Sequence, residues 1–201
     1  MERLALIDYG AGNLTSVRKA LDAVGARLFT PRAPEELGDA DGIIVPGVGH
    51  FDATSSLTEP WRAVIRARLA RGVPLLGICL GLQWLFESSE EAPGTQGLGI
   101  VRGSCARLPA VVKVPHVGWN ALEILGSSRL LEGIADGAQV YFTHAYAAPL
   151  APQTIAATTH GVRFSAAVET GSVFGVQFHP EKSGDAGLQV LRNFLATAPA
   201  R

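Results

Sequence analysis

The sequence has few cysteines, no excess of charge of either sign and no long apolar run, and each shortage excludes a class of protein. Its 201 residues carry 17 basic and 18 acidic side chains, so neither a nucleic-acid-binding surface nor a polybasic membrane anchor is expected. No apolar run approaches the roughly 18 residues that a membrane-spanning helix needs. An acidic residue, Glu2, directly follows Met1, so residues 1–8 predict a first strand and not a signal peptide.

The two cysteines, Cys79 and Cys105, are too few for a disulfide framework. No Cys-x-x-Cys pair or Cys/His cluster indicates a metal site, and a reducing, cytoplasmic setting fits best. The residues around Cys105 indicate only a small buried side chain. The surroundings of Cys79 are different, and they carry most of the functional signal.

Strand-like and helix-like segments alternate over the first half of the chain. Continuous apolar strands in this order predict a mostly parallel sheet that is covered by helices on both faces. The expected strands are 4–8, 27–30, 42–45 and 73–78, and helical spacing runs over 14–24, 61–69 and 80–87.

The second half is richer in short strands, so the sheet is expected to be mixed. Gly and Pro punctuate strand-like runs at 100–108, 139–144, 155–159 and 166–169, and a buried strand at 173–178 precedes a closing helix marked by Leu188, Leu191 and Leu195. With no repeat and no linker, residues 1–201 are predicted to form one α/β domain.

Gly77-Ile78-Cys79-Leu80-Gly81 has the layout of a nucleophile elbow, with cysteine at the apex. The two glycines would let the strand and the helix approach closely, while the helix N-terminus favours a thiolate at Cys79. The Leu80 N–H would point toward a developing oxyanion. An inert cysteine in a plain strand-to-helix turn is the alternative.

His179-Pro180-Glu181 supplies a base and a group to orient it. Proline favours an extended conformation at His179, and residues i and i+2 of an extended segment point the same way. Glu181 could therefore fix the imidazole tautomer while the other nitrogen takes the cysteine proton. A strand that ends in a proline turn with an exposed histidine is the alternative.

The loop Pro46-Gly47-Val48-Gly49 also follows a predicted strand. It could aim the Val48 N–H at the same oxyanion, although a plain glycine turn fits the local sequence too. The remaining histidines are weaker candidates. His50, His116 and His160 are expected on the surface or in loops, and His144 is expected beside a pocket.

Assembled, these segments resemble the class I (triad) glutamine amidotransferases, whose fold is an open, flavodoxin-like sheet flanked by helices. The resemblance spans the whole chain. Within that family the sequence is most similar to the glutaminase subunits of imidazole glycerol phosphate synthases, because of three segments. These are Ile7–Leu14, Pro46–Phe51 and Lys113–Asn120. Ala145, where Ser or Thr is common in the family, is the one minor departure.

The resemblance implies roles for particular residues. Cys79, His179 and Glu181 would be catalytic, with an oxyanion hole formed by the backbone of Val48 and Leu80. The residues expected to bind the substrate glutamine are Gly49, Gln83, Glu91, His144, Ala145 and Tyr146. No cofactor and no metal are implied.

The resemblance also implies a partner, because the family does not release its ammonia to water. That partner would be a (β/α)8-barrel cyclase subunit, which makes the functional unit a heterodimer. The residues that match the family's docking face are Asn13, Trp119, Asn120 and Lys182. A core position is the alternative for Trp119, but its polar loop favours an interface anchor.

Three other functions compete with this prediction. The same chemistry could supply a different synthase, although Lys113–Asn120 and Tyr9–Asn13 argue against that. A cysteine-dependent peptidase or hydrolase would act without a partner and without preference for glutamine. A catalytically silent binding subunit would not depend on Cys79.

Overall fold

The structure, a computed structural model, describes residues 3–198 and contains an eight-stranded sheet flanked by helices. In chain order its elements are β1 (Arg3–Leu6), α1 (Leu14–Ala23), β2 (Arg27–Phe29), β3 (Gly42–Val45), α2 (Glu59–Ala70), β4 (Leu75–Ile78), α3 (Leu80–Leu85), β5 (Ser88–Ser89), β6 (Ser104–Arg107), β7 (His116–Ala121), β8 (Glu123–Ile124), β9 (Gln139–His144), β10 (Tyr146–Ala147), β11 (Thr154–His160), β12 (Val162–Thr170), β13 (Val173–Val176) and α4 (Gly184–Thr197). Short 3-10 helices lie at Pro34–Asp39, Phe51–Ser56 and Pro180–Lys182.

The large sheet is mixed, as predicted, with the order β2-β1-β3-β4-β13-β12-β11-β8. Its first five strands are parallel and its last three are antiparallel to their neighbours. The chain therefore places β13, which comes late in sequence, directly beside β4 in the parallel half. Two small sheets, β10-β6-β5 and β7-β9, complete the architecture.

Helices cover both faces of the sheet because side chains alternate along its buried strands. In β1, Leu4 and Leu6 pack in the cluster that includes α1 and α4, whereas Ala5 packs in the cluster that includes α2 and α3. Asn13 caps α1, since its side-chain oxygen accepts a hydrogen bond from the Ser16 N–H. Over residues 3–198, none of the helices has the length and apolar character needed to cross a membrane.

Most of the predicted strands and helices are confirmed, but β5, β7, β8, β10 and the three 3-10 helices were not predicted. β7 contains Gly118 and Asn120, which individually disfavour strands, yet it pairs with β9 along six residues. One histidine prediction is wrong for this reason, because His116 lies buried in β7. His160 ends β11 and is only partly buried, so it lies at the surface as expected but not in a loop. His50 is exposed, as expected.

The elbow between β4 and α3 depends on glycine. A Cβ at Gly77 would lie 2.5 Å from the Gly81 carbonyl oxygen, and a Cβ at Gly81 would overlap the Val45 carbonyl oxygen. Both obstacles are backbone atoms, which cannot turn aside as a flexible side chain can. The predicted close approach of strand and helix is confirmed.

We expect Gly81→Ala to destabilise the protein by about 3 kcal/mol, the upper part of the usual range for overpacking. The matched control is Gly38→Ala, at an exposed position with no atom within 4 Å of the new methyl group and no positive φ. That change should be neutral or stabilise by about 0.5 kcal/mol. Urea unfolding of both variants measures the difference. Equal midpoints would show that the elbow tolerates a side chain.

Candidate active site

Three neighbouring strands deliver the predicted catalytic groups to one edge of the sheet. β3, β4 and β13 are adjacent and parallel, so their carboxyl ends coincide. Cys79 follows β4 directly, and His179 lies three residues after β13. The loop Pro46–Gly49 follows β3, on the other side of β4. Because Ile78 pairs with Val176 in this register, the thiol and the imidazole come from neighbouring strand ends.

Cys79 has a backbone conformation that side chains rarely adopt. Its φ is 53°, and among residues 3–198 it is the one non-glycine residue with positive φ. Such strain persists where the surrounding structure enforces it, commonly at functional sites. The Cys79 N–H donates to the Val176 carbonyl at 2.8 Å, which ties the elbow to β13. The side chain is buried, with 5% of its surface exposed.

His179 and Glu181 form a buried pair. His179 Nδ1 lies 2.8 Å from Glu181 Oε1, and the two side chains are only 2% and 3% exposed. A carboxylate can only accept a hydrogen bond, so Nδ1 carries a proton, and Nε2 takes no part in this bond. His179 is extended, as predicted, but Pro180–Lys182 is a 3-10 turn. Glu181 therefore reaches the imidazole because the chain curls back, and the expected i, i+2 alignment along an extended segment is wrong.

The second imidazole nitrogen is available for proton transfer. Nε2 of His179 is buried and makes no hydrogen bond with any described residue. Burial by itself would lower the pKa of His179, but the Cys79 sulfur and the Glu181 carboxylate outweigh burial and raise that pKa to about 10. The imidazole is thus held in its protonated form beside the cysteine.

Two groups that the sequence analysis did not single out contact the cysteine sulfur. Cys79 Sγ lies 3.8 Å from the Thr143 carbonyl oxygen. Gln177 Nε2 donates to Cys79 Sγ at 3.6 Å, and Gln177 Oε1 accepts from Gln83 Nε2 at 3.2 Å. Gln177 is fully buried. Its position two residues before the predicted base, His179, was the one sequence signal that it belongs to the site.

The predicted oxyanion donors are not both free in this conformation. The Leu80 N–H donates to the Gly47 carbonyl oxygen at 3.2 Å, so that oxygen occupies the direction in which an oxyanion would be bound. The Gly47 carbonyl and the Val48 N–H belong to one peptide group and point in opposite directions. Turning this peptide would release the Leu80 N–H and bring the Val48 N–H to the same side.

A small cavity lies between Cys79 and the predicted substrate residues. It measures about 40 Å³ and is lined by Gly49, Cys79, Leu80, Gln83, Glu91, Thr143, His144, Ala145 and Tyr146. All six residues predicted to bind substrate are in this set, and His144 lies beside the pocket as expected. The volume is close to that of one water molecule, so the cavity must open to admit a larger ligand.

The four predicted docking residues differ in exposure. Asn13 and Lys182 are exposed, and Trp119 is 56% exposed, which rules out the alternative core position for Trp119. The Trp119 ring meets the Tyr141 ring edge-on at 6.1 Å, and Lys182 Nζ lies 5.6 Å from the same ring. Asn120 is half-buried, and its amide faces inward.

This sequence and this fold have known counterparts. The sequence matches the family described as glutamine amidotransferase class-I over residues 5–198. The chain therefore belongs to the class I glutamine amidotransferase family.

Two individual relatives carry the name of one particular synthase subunit. The chain is 48% identical over 198 residues to the imidazole glycerol phosphate synthase subunit HisH of Moorella thermoacetica, covering 96% of this chain and 94% of that one. It is 47% identical to the subunit of the same name from Methanosarcina acetivorans, covering 97% and 98%. A crystal structure of a glutamine amidotransferase superposes with a TM-score of 0.75 at 24% identity, covering 96% and 98%, and supports the fold.

We expect Glu181→Gln to lower the pKa of His179 from about 10 toward its usual value of about 6.5, because the carboxylate that stabilises the imidazolium is lost. A raised folded-state pKa stabilises the protein fully below about pH 6.5, and that stabilisation disappears as the pH rises through about 10. The variant should therefore lose stability mainly at and below neutral pH. NMR titration of the His179 ring and unfolding at several pH values test both statements.

The control for this change is Glu59→Gln, which removes an exposed carboxylate whose recorded partner is Arg66, on the same helix. It should leave the His179 titration unchanged. If Glu181→Gln also leaves it unchanged, Glu181 does not support the imidazolium.

Proposed function

We propose that this chain is the glutaminase subunit of an imidazole glycerol phosphate synthase. It would hydrolyse glutamine to glutamate and ammonia, and pass the ammonia to a cyclase subunit. The observation that carries the proposal is the geometry of Cys79, His179 and Glu181: a strained elbow cysteine beside an imidazole whose far nitrogen is held by a buried carboxylate. The named relatives support the particular synthase.

The proposed reaction uses the proton held on His179. The Cys79 thiolate attacks the side-chain carbonyl carbon of glutamine, and the tetrahedral intermediate bears an oxyanion. His179 Nε2 gives its proton to the departing nitrogen, so ammonia leaves and a γ-glutamyl thioester remains. The neutral imidazole then takes a proton from water as the hydroxyl attacks the thioester. Glutamate leaves, and the thiolate and imidazolium are restored.

The cavity lining supports glutamine as the substrate. Glu91 offers a carboxylate to the α-ammonium group, and its Oε2 is held by the Phe51 N–H at 2.8 Å. Gln83 Nε2 donates to the Tyr146 carbonyl at 2.7 Å, which ties helix α3 to the far wall of the pocket. We assign the substrate contacts to Gly49, Gln83, Glu91 and the backbone of 144–146.

The hydrogen bond from Leu80 to Gly47 supports low activity in the isolated chain. With this donor engaged, a two-donor oxyanion hole is incomplete, and each donor contributes about 3 kcal/mol to transition-state stabilisation. We propose that binding of the partner favours the turned Gly47–Val48 peptide, in which Val48 and Leu80 both point at the oxyanion.

The partner is proposed to be a (β/α)8-barrel cyclase that docks on Asn13, Trp119, Asn120 and Lys182. The exposed aromatic ring of Trp119 beside Tyr141 supports this face, because Trp and Tyr are typical of interface anchors. We further propose that residues 1–201 form a single glutaminase domain that acts in the cytoplasm, where both cysteines stay reduced.

Cys79→Ser should abolish glutamine-dependent synthesis by the complex and leave ammonia-dependent synthesis intact, since the second route bypasses the thioester. The control is Cys105→Ala, which removes the other buried thiol and should retain glutamine-dependent synthesis. Assays with glutamine or ammonium as the nitrogen source measure both routes. If the glutamine route persists in Cys79→Ser, another nucleophile is at work.

Trp119→Ala should weaken partner binding or activation by at least about tenfold, because truncating a central aromatic anchor costs 2 kcal/mol or more. Its melting temperature should change little, since the side chain is 56% exposed. The contrasting variant is Trp84→Ala, which empties a fully buried site and should cost about 3–5 kcal/mol of stability. Calorimetric titration with the partner and thermal unfolding separate the two effects. A large drop in melting temperature with unchanged partner affinity would show that Trp119 stabilises the fold and does not anchor the partner.

A further inference from the structure

Two histidines that the proposed reaction does not use form a buried hydrogen-bonded pair beside the active site. His116 Nδ1 lies 3.1 Å from His144 Nε2, and the two residues are only 4% and 6% exposed. At one end of the pair, His144 Nδ1 lies 2.9 Å from the Tyr146 carbonyl oxygen. At the other end, Asn120 Nδ2 lies 3.3 Å from His116 Nε2. We call this series of hydrogen bonds, from Asn120 through His116 and His144 to the Tyr146 carbonyl, the histidine relay.

The Tyr146 end fixes the position of every proton in the relay. A carbonyl oxygen can only accept, so His144 must donate from Nδ1. In a neutral imidazole the other nitrogen is then an acceptor, which requires His116 to donate from Nδ1 to His144 Nε2. His116 Nε2 is consequently an acceptor and needs a donor.

The Asn120 end gives the same answer independently. The Ala121 N–H donates to Asn120 Oδ1 at 2.8 Å, which orients the amide and leaves its NH₂ group facing inward. That NH₂ group donates to the Thr159 carbonyl at 3.1 Å and to His116 Nε2. Both ends therefore require one and the same arrangement of tautomers.

The relay needs both rings to be neutral, and their surroundings keep them so. Burial lowers the pKa of His144 to about 3 and that of His116 to about 4, and nearby histidines reinforce both shifts. The His116 ring is also stacked between Phe142 at 4.9 Å and His160 at 4.1 Å. The stacking fixes the plane of the ring, and the contacts with His144 and Asn120 fix the direction of its two nitrogens within that plane.

The relay connects the wall of the proposed glutamine pocket with the proposed docking face for the partner. The Tyr146 carbonyl accepts from His144 and from Gln83 Nε2 at 2.7 Å, and residues 144–146 wall the pocket beside Cys79. Asn120 lies next to the exposed Trp119, on a strand whose opposite face is open to solvent. A change at the docking face can therefore reach the pocket through three side chains.

We propose that His116 is a positioning residue for glutamine hydrolysis: through the His144 ring it fixes the Tyr146 carbonyl and the 144–146 wall, and so couples Asn120 to the glutamine pocket. This inference rests on the proposed function. It assigns a task to His116, and to the side chain of His144, beyond the backbone contacts proposed for 144–146.

The first test needs no variant. In the full chain labelled with ¹⁵N-histidine, the ring shifts of His144 should report the tautomer protonated at Nδ1, and the same should hold for His116. A coupling across the Nδ1–H···Nε2 hydrogen bond would identify the pair directly. Protonation of His144 at Nε2 would overturn the proposal, whatever the activity.

The second test breaks the relay while keeping its packing. His116→Phe retains a ring between Phe142 and His160 but removes both nitrogens. We expect kcat/KM for glutamine in the complex to fall at least about tenfold, as expected when a wall of the site is misplaced. Ammonia-dependent synthesis should be unchanged. The control, His160→Phe, keeps the stacking and lies outside the relay, since the His160 ring bonds to the Lys113 carbonyl, and it should behave as wild type.

A double-mutant cycle separates transmission from direct contact with the partner. Asn120→Ala should lower glutamine turnover in the wild-type background, and that part of its effect should vanish in the His116→Phe background. An effect of the same size in both backgrounds would mean that Asn120 acts through the partner alone and would overturn the coupling. If wild-type complex fails to hydrolyse glutamine, the proposed function fails. If it does so and His116→Phe matches His160→Phe, only the relay is wrong.

Discussion

The site depends on one buried hydrogen bond, the 2.8 Å contact between His179 Nδ1 and Glu181 Oε1. It fixes the orientation of the ring, leaves Nε2 outside this bond, and opposes the loss of charge that burial would otherwise cause. Without this carboxylate, an imidazole that is 2% exposed would lose one of the two groups that raise its pKa against burial, and the Cys79 sulfur alone would remain. The adjacency of β4 and β13 places the thiol beside it, and the 3-10 turn at Pro180–Lys182 brings the carboxylate back toward the ring.

The rest of the structure holds this arrangement with little room beside the thiol and with an incomplete oxyanion hole. Glycines at 77 and 81 allow α3 to start against the end of β3, which puts Cys79 into its strained conformation. The Gly47 carbonyl occupies the Leu80 N–H, and the cavity beside the thiol has room for about one water molecule. Little room beside the thiol and one engaged oxyanion donor both support the proposal that the isolated chain has low glutaminase activity.

The sequence predicted the parallel half of the sheet and the location of the site, because local signals there agree with the tertiary structure. Apolar runs end in glycine-bearing loops, and Cys79 and His179 stand directly after two such runs. The second half was harder, since β7 is stabilised by pairing with β9 and not by its own residues, and so His116 was misplaced. The engaged Leu80 N–H, the contact of Gln177 with Cys79, and the histidine relay depend on orientations of peptide and ring that no periodicity encodes.

The most direct measurement of the central claim is identification of the covalent intermediate. The complex with the proposed cyclase partner would be quenched in acid during turnover of glutamine, digested, and analysed by mass spectrometry. The account predicts a γ-glutamyl group on the peptide that contains Cys79, at a level that falls when turnover ends. A γ-glutamyl group on Cys105 instead, or sustained turnover with no acylated cysteine at all, would contradict it.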